Sequence, residues 1–137
     1  IQSGISDQIG EMNLYFFHNR AAKNTISKEF GENAKQIKKI KTDTLDNILF
    51  QNKLYEKKID FLSIDVEGNE LNVLKGFNLK RYRPKVILLE LIYNDVKEFY
   101  QKDINSIIKS DIYKYMIANK YKLINWNHDD LMFMLNE

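Results

Sequence analysis

The chain has 137 residues, 44% of them hydrophobic, with a single Pro and no Cys. That is enough for one domain with a sizeable core and too apolar for a disordered tail, and the lack of thiols excludes a disulfide framework, thiolate metal ligation and a Cys nucleophile. Charge is nearly balanced, with 21 Lys and Arg against 19 Asp and Glu for a net of +2, and the cations are mostly Lys spread along the chain, which argues against a dedicated nucleic-acid binder.

Ile1 to Phe17 predicts a short strand, a turn from Asp7 to Gly10 and an alternating strand carrying Met12, Leu14 and Phe16. His18 to Asn33 is polar and contains Gly31, the composition of a long loop with room for a short helix and for substrate contacts. Gln36 to Thr42 predicts a strand whose lysines, Lys38, Lys39 and Lys41, form a solvated face. Thr44 to Tyr55 places Leu45, Ile48, Leu49 and Tyr55 on one helical stripe, with Thr42 or Thr44 available as a cap.

Ile59 to Val66 and Lys85 to Ile92 are apolar runs of the kind buried on both faces, and a helix from Asn69 to Phe77 and a turn through Arg83-Pro84 lie between them. Strand, helix and strand at this spacing predict a right-handed parallel crossover, which puts Asp65 and Glu90 at one sheet edge. Asp95 to Gln101 predicts a helical segment, and Ile104 to Ala118 a single helix with Ile104, Ile107, Ile108, Ile112, Tyr115 and Met116 on one face. Tyr121 to Trp126 and Leu131 to Leu135 read as closing strands around a turn at Asn127 to Asp130. No repeat or linker composition divides the chain, so residues 1–137 are expected to form a single domain.

The chemistry concentrates where the first of the two apolar runs ends on acid. Ligands of open α/β sheets bind at the carboxyl ends of the strands, so Asp65 is the first candidate catalytic group and Glu67 the second. Glu67, Asn69 and Glu70 also surround a helix start, where carboxylates satisfy free amides and complement the dipole without any catalytic role. Glu90 either lines a pocket or bonds backbone at its own strand end. Asp65, Glu67 and Asn69 alternate like the opening of a calcium loop, but Gly68 is misplaced and the liganding Glu is absent. Asp65, Glu90 and Asn94-Asp95 would suit a magnesium site, a pattern that chance spacing mimics easily, and no metal is expected. His18 and His128 sit far apart in polar loops, where a lone His is more often solvated than catalytic. Most aromatics read as core, with Tyr93 and Trp126 near enough to strand ends to pack on a ring.

Ser63-Ile64-Asp65-Val66-Glu67-Gly68-Asn69-Glu70, closed by Val73-Leu74-Lys75-Gly76, resembles the signature of the FkbM family of S-adenosylmethionine-dependent methyltransferases. Arg83-Pro84 followed by an apolar strand ending on Glu90, and Gly4-Ile5-Ser6-Asp7 with Gly10 and Leu14-Tyr15, are similar to two further family segments in the same order. The resemblance implies an α/β fold, a Rossmann-like class I methyltransferase sheet, mainly parallel with a terminal antiparallel pair. It implies S-adenosylmethionine as cofactor, with Ser6, Asp7 and Asp65 as binding residues, and O-methylation of a sugar or small-metabolite hydroxyl. Ser63 stands where the family has Lys, which removes a charge from that strand. The family's Gly-rich loop has no counterpart, because Gly4, Gly10, Gly31, Gly68 and Gly76 are isolated. The expectation is therefore the carboxyl part of a methyltransferase domain lacking its first two strands. The expected partners are a small-molecule or glycan acceptor and, as an option, a second copy of the chain, with no nucleic acid and no membrane. A non-catalytic module acting in protein interaction is the alternative, since missing flanking strands would leave a sheet edge open. The longest apolar stretch, Val86 to Ile92, is too short to cross a bilayer and no basic-then-apolar leader opens the chain, so the cytoplasm is the expected location.

Overall fold

The computed structural model describes residues 2–17, 24–92 and 103–136. They form two compact units, Ile1–Lys57 with Val66–Asn78, and Lys58–Asp65 with Leu79–Glu137.

The first unit holds a three-stranded sheet of β1 (Gly4–Ile5), β2 (Gly10–Phe16) and β3 (Gln36–Asp43) in the order β1-β3-β2. β1 runs parallel to β3, and β2 pairs antiparallel with it from Gly10↔Thr42 to Phe16↔Gln36. Lys38, Lys39 and Lys41 are exposed, and so is Ile37, and Lys38 Nζ lies 5.0 Å from the centre of the Phe16 ring. Helix α1 (Leu45–Gln51) starts at Thr44, whose Oγ1 accepts from the Asn47 amide at 3.1 Å. It is shorter than the predicted Thr44 to Tyr55, because Asn52 Nδ2 donates to the Ile48 carbonyl at 2.8 Å and Lys53 turns left-handed at φ 58. Helix α2 (Glu70–Lys75) buries Val73 and Leu74. It ends at Gly76, where a Cβ would strike the Ser6 carbonyl, so only Gly lets the end of β1 approach this closely.

The second unit holds β4 (Phe61–Ile64), α3 (Leu79–Tyr82), β5 (Val86–Glu90), α4 (Ile104–Lys109), α5 (Asp111–Ala118), β6 (Tyr121–Asn127) and β7 (Asp130–Leu135). Its sheet has the order β4-β5-β7-β6. β4 and β5 are parallel, from Phe61↔Val86 to Ile64↔Leu89, whereas β5 with β7 and β6 with β7 are antiparallel. Ile64, Ile87, Leu89, Ile107, Met116, Tyr121, Leu131 and Phe133 are its main buried side chains.

The described strands form two mixed sheets, in keeping with the α/β class expected, since β2 and β7 each return antiparallel beside a strand that also has a parallel neighbour. The terminal antiparallel pair is present as β6 and β7. The helix expected over Ile104 to Ala118 is two helices broken at Ser110, whose backbone is extended at φ -63, ψ 148 and whose Oγ caps α5 by accepting from the Tyr113 amide. The turn expected through Arg83-Pro84 is preceded by the single-turn helix α3, with Arg83 left-handed at φ 44. Among the described residues no helix is long and apolar enough to cross a membrane. The predicted helix at Asp95 to Gln101 and the residues His18, Tyr93, Asn94 and Asp95 lie outside the described residues.

Candidate active site

In the second unit, the parallel register Ile64↔Leu89 brings the next residue of each strand, Asp65 and Glu90, to the same carboxyl edge. Each offers a carboxylate oxygen within 4.8 Å of the other. Asp65 is exposed and Glu90 half-buried. Carboxylate oxygens this close can together accept from hydroxyl or cationic donors of a ligand. The sheet supplies a third acid at the same edge, since β7 begins at Asp130 directly opposite Glu90 and the Leu91 amide donates to the Asp129 carbonyl at 2.8 Å. No local signal in the sequence marks the place of Asp130. In the sequence it belongs to a turn, and only the antiparallel register of β5 with β7 carries it to Glu90.

His128 occupies the β6–β7 hairpin turn, left-handed at φ 54 and exposed, with Nδ1 2.9 Å from Asn127 Oδ1. Its carbonyl accepts from Trp126 Nε1 at 2.7 Å. Both residues are thus engaged in shaping the hairpin, and His128 is solvent-exposed, as a lone loop His is expected to be.

In the first unit, Ser6 directly follows β1 and is fully buried, while Asp7 is exposed. Ser6 Oγ donates to Asp7 Oδ1 at 3.1 Å, and Asn69 Nδ2 donates to the Ile5 carbonyl at 3.0 Å and reaches Ser6 Oγ at 3.5 Å. Ser6 therefore anchors the turn, and Asp7 is the member of the pair that a ligand can reach. The same unit contains a cavity of about 610 Å³ lined by Gly4, Ile5, Leu14, Ile26, Ile40 and Val66 among others, of a size and lining suited to a small organic ligand.

Glu67 and Glu70, both expected beside the helix start, separate clearly. Glu70 is 3% exposed, and its Oε1 accepts from the amides of Val66 at 3.0 Å and Gly68 at 3.2 Å. That is the structural role of a carboxylate at a helix start. Glu67 is half-buried with a left-handed backbone, φ 54, and Gly68 follows at φ 93. Thr25 Oγ1 donates to the Glu67 carbonyl, and a Cβ on Gly68 would collide with the Phe30 ring. Thr25 and Phe30 come from the polar loop expected to carry substrate contacts, and no local signal marks them, since their partners are about forty residues away in the chain.

The family model described as the Methyltransferase FkbM domain matches residues 2–123. No curated protein and no solved structure matches the chain. With most of its length covered by that family model, the chain belongs to the FkbM methyltransferase family.

Proposed function

We propose that the chain forms a Rossmann-like class I methyltransferase domain that uses S-adenosylmethionine to methylate a hydroxyl of a sugar or small metabolite in the cytoplasm. The observation that carries this reading is the pair Asp65 and Glu90, with carboxylate oxygens within 4.8 Å at the carboxyl edge of a parallel strand pair, in a chain of this family. This donor set suits the cofactor, because carboxylates at such an edge bind ribose hydroxyls and complement a sulfonium charge. When bound, S-adenosylmethionine supplies an electrophilic methyl group on sulfur.

The protein residues do the remainder. Asp65, exposed at the strand end, orients the acceptor hydroxyl and takes its proton as the new C–O–CH₃ linkage forms. Glu90, half-buried beside it, holds Asp65 in a charged surrounding that disfavours anionic ligand groups and orients hydroxyls. Glu67 contributes a second carboxylate to acceptor or cofactor. Asp7, fixed by buried Ser6, contacts the adenine.

Incubating the full chain with methyl-labelled S-adenosylmethionine and a panel of hydroxylated acceptors should yield labelled ether, and Asp65→Asn should lower turnover by about 10²- to 10⁴-fold, the usual contribution of a positioned base. Wild-type turnover in Asp65→Asn would remove Asp65 from the chemistry. A non-catalytic interaction module is the second reading, favoured by β4 ending the sheet with Phe61 55% exposed and no charge between Phe61 and Ile64. S-adenosylhomocysteine separates the two. A competent site gains about 2.7 kcal/mol at a hundredfold excess over Kd, and a module without a site gains nothing.

A further inference from the structure

The turn after Asp65 is held in a shape that its own sequence disfavours. Glu67 at φ 54 and Gly68 at φ 93 are consecutive left-handed residues. Gly adopts that region freely, whereas a residue with a Cβ does so at a penalty, so a plain connection would carry Gly or Asn at position 67. Three separate contacts enforce the shape. Thr25 Oγ1 donates to the Glu67 carbonyl, Glu70 Oε1 accepts from the amides on either side of Glu67, and the Phe30 ring fills the space that a side chain on Gly68 would need.

Thr25 is itself fixed before it acts. It is 2% exposed, its backbone pairs with Tyr15 through bonds of 2.8 and 3.2 Å, and its Oγ1 also accepts from the Ser27 amide at 2.9 Å. Such over-determination is far more than a helix start requires, since one carboxylate would satisfy the free amides. Backbone strain kept in place by buried polar contacts is characteristic of positions where a particular side chain must be presented from a particular backbone.

We infer that Thr25 and Glu70 are positioning residues that lock the Val66-Glu67-Gly68 turn so that the Glu67 carboxylate is presented for methyl transfer; the inference rests on the methyltransferase reading above. Thr25 acts through the Glu67 carbonyl and Glu70 through the Val66 and Gly68 amides on either side, so their loss should slow the chemical step more than it weakens binding.

Three variants of the full chain test this with an acceptor from the active panel. Thr25→Val should lower kcat by about tenfold to a hundredfold with KM for S-adenosylmethionine within about twofold, while Thr25→Ser, which keeps the hydroxyl, restores most of it. Glu67→Gly should raise the melting temperature, because the strain is relieved, and lower kcat at the same time. Amide exchange at Val66 and Gly68 should quicken in Thr25→Val. Should Thr25→Val not fold, Glu70→Gln, which keeps the volume and weakens the acceptor, is read in the same way. Wild-type kcat in Thr25→Val despite faster exchange, or a Glu67→Gly chain no more stable than wild type, would overturn the positioning role alone. Absence of turnover in the wild type with every acceptor, together with no response to S-adenosylhomocysteine, would instead sink the methyltransferase reading and this role with it.

Discussion

Tyr121 shows how one buried group can tie the fold to pH. Its ring is 2% exposed and its hydroxyl donates to the Pro84 carbonyl at 2.9 Å. Burial pushes its pKa up from 10.0 to about 12, with Arg83 opposing. The native state thus resists ionisation that the unfolded chain undergoes near pH 10. The stability this provides is whole below that pH and is lost as pH rises through about 12, an amount on the order of 2–3 kcal/mol. Tyr121→Phe removes the titration along with a hydrogen bond worth about 1 kcal/mol. In denaturant melts from about pH 9 to 12, wild type should begin more stable than the variant and lose that lead as pH climbs. A constant difference across the range would show that Tyr121 does not drive the loss. At this scale the strand-end position of Asp65 was legible because an apolar run stopping on acid is a local pattern. Thr25 was not, because a Thr in a polar loop gives no hint of a bond to a carbonyl forty residues on.

The helices α4 and α5 share one residue as end and beginning. Ser110 Oγ donates to the Ile107 carbonyl at 2.7 Å and accepts from the Tyr113 amide at 3.2 Å, so it closes one helix and opens the next. Ser110→Ala should cost about 1 kcal/mol, the usual value of an N-cap. Ser110→Asp keeps the acceptor for Tyr113 and should recover most of that in urea melts, whereas equal loss in both variants would place the weight on the bond to Ile107. Apolar spacing from Ile104 to Met116 had suggested one helix, because the break leaves the buried stripe of Ile107, Ile112 and Met116 intact. The Ser-Asp pair at the break is a local capping signal that apolar periodicity alone does not register. β3 was legible to within one residue of its end, Gln36–Asp43 against the expected Gln36 to Thr42, and its lysines are exposed.

Over the whole molecule, the net charge of +2 and the scattered lysines argue against a dedicated nucleic-acid binder. Retention on heparin should vanish at modest salt, with the shallow salt dependence of only a few phosphate-like contacts. Binding that persists at about 0.5 M salt would point to nucleic acid instead. What the amino-acid sequence determined alone was the family, the strand-end acids and nearly every strand, because these are written in short stretches whose periodicity and composition act locally. Only the tertiary structure decided that the sheets are mixed, that Asp130 stands opposite Glu90, that Glu70 serves the loop amides, and that Thr25 grips the Glu67 carbonyl. Those outcomes depend on strand direction, register and contacts between residues far apart in the chain, and no local propensity encodes which distant partner a hydrogen-bonding group will meet.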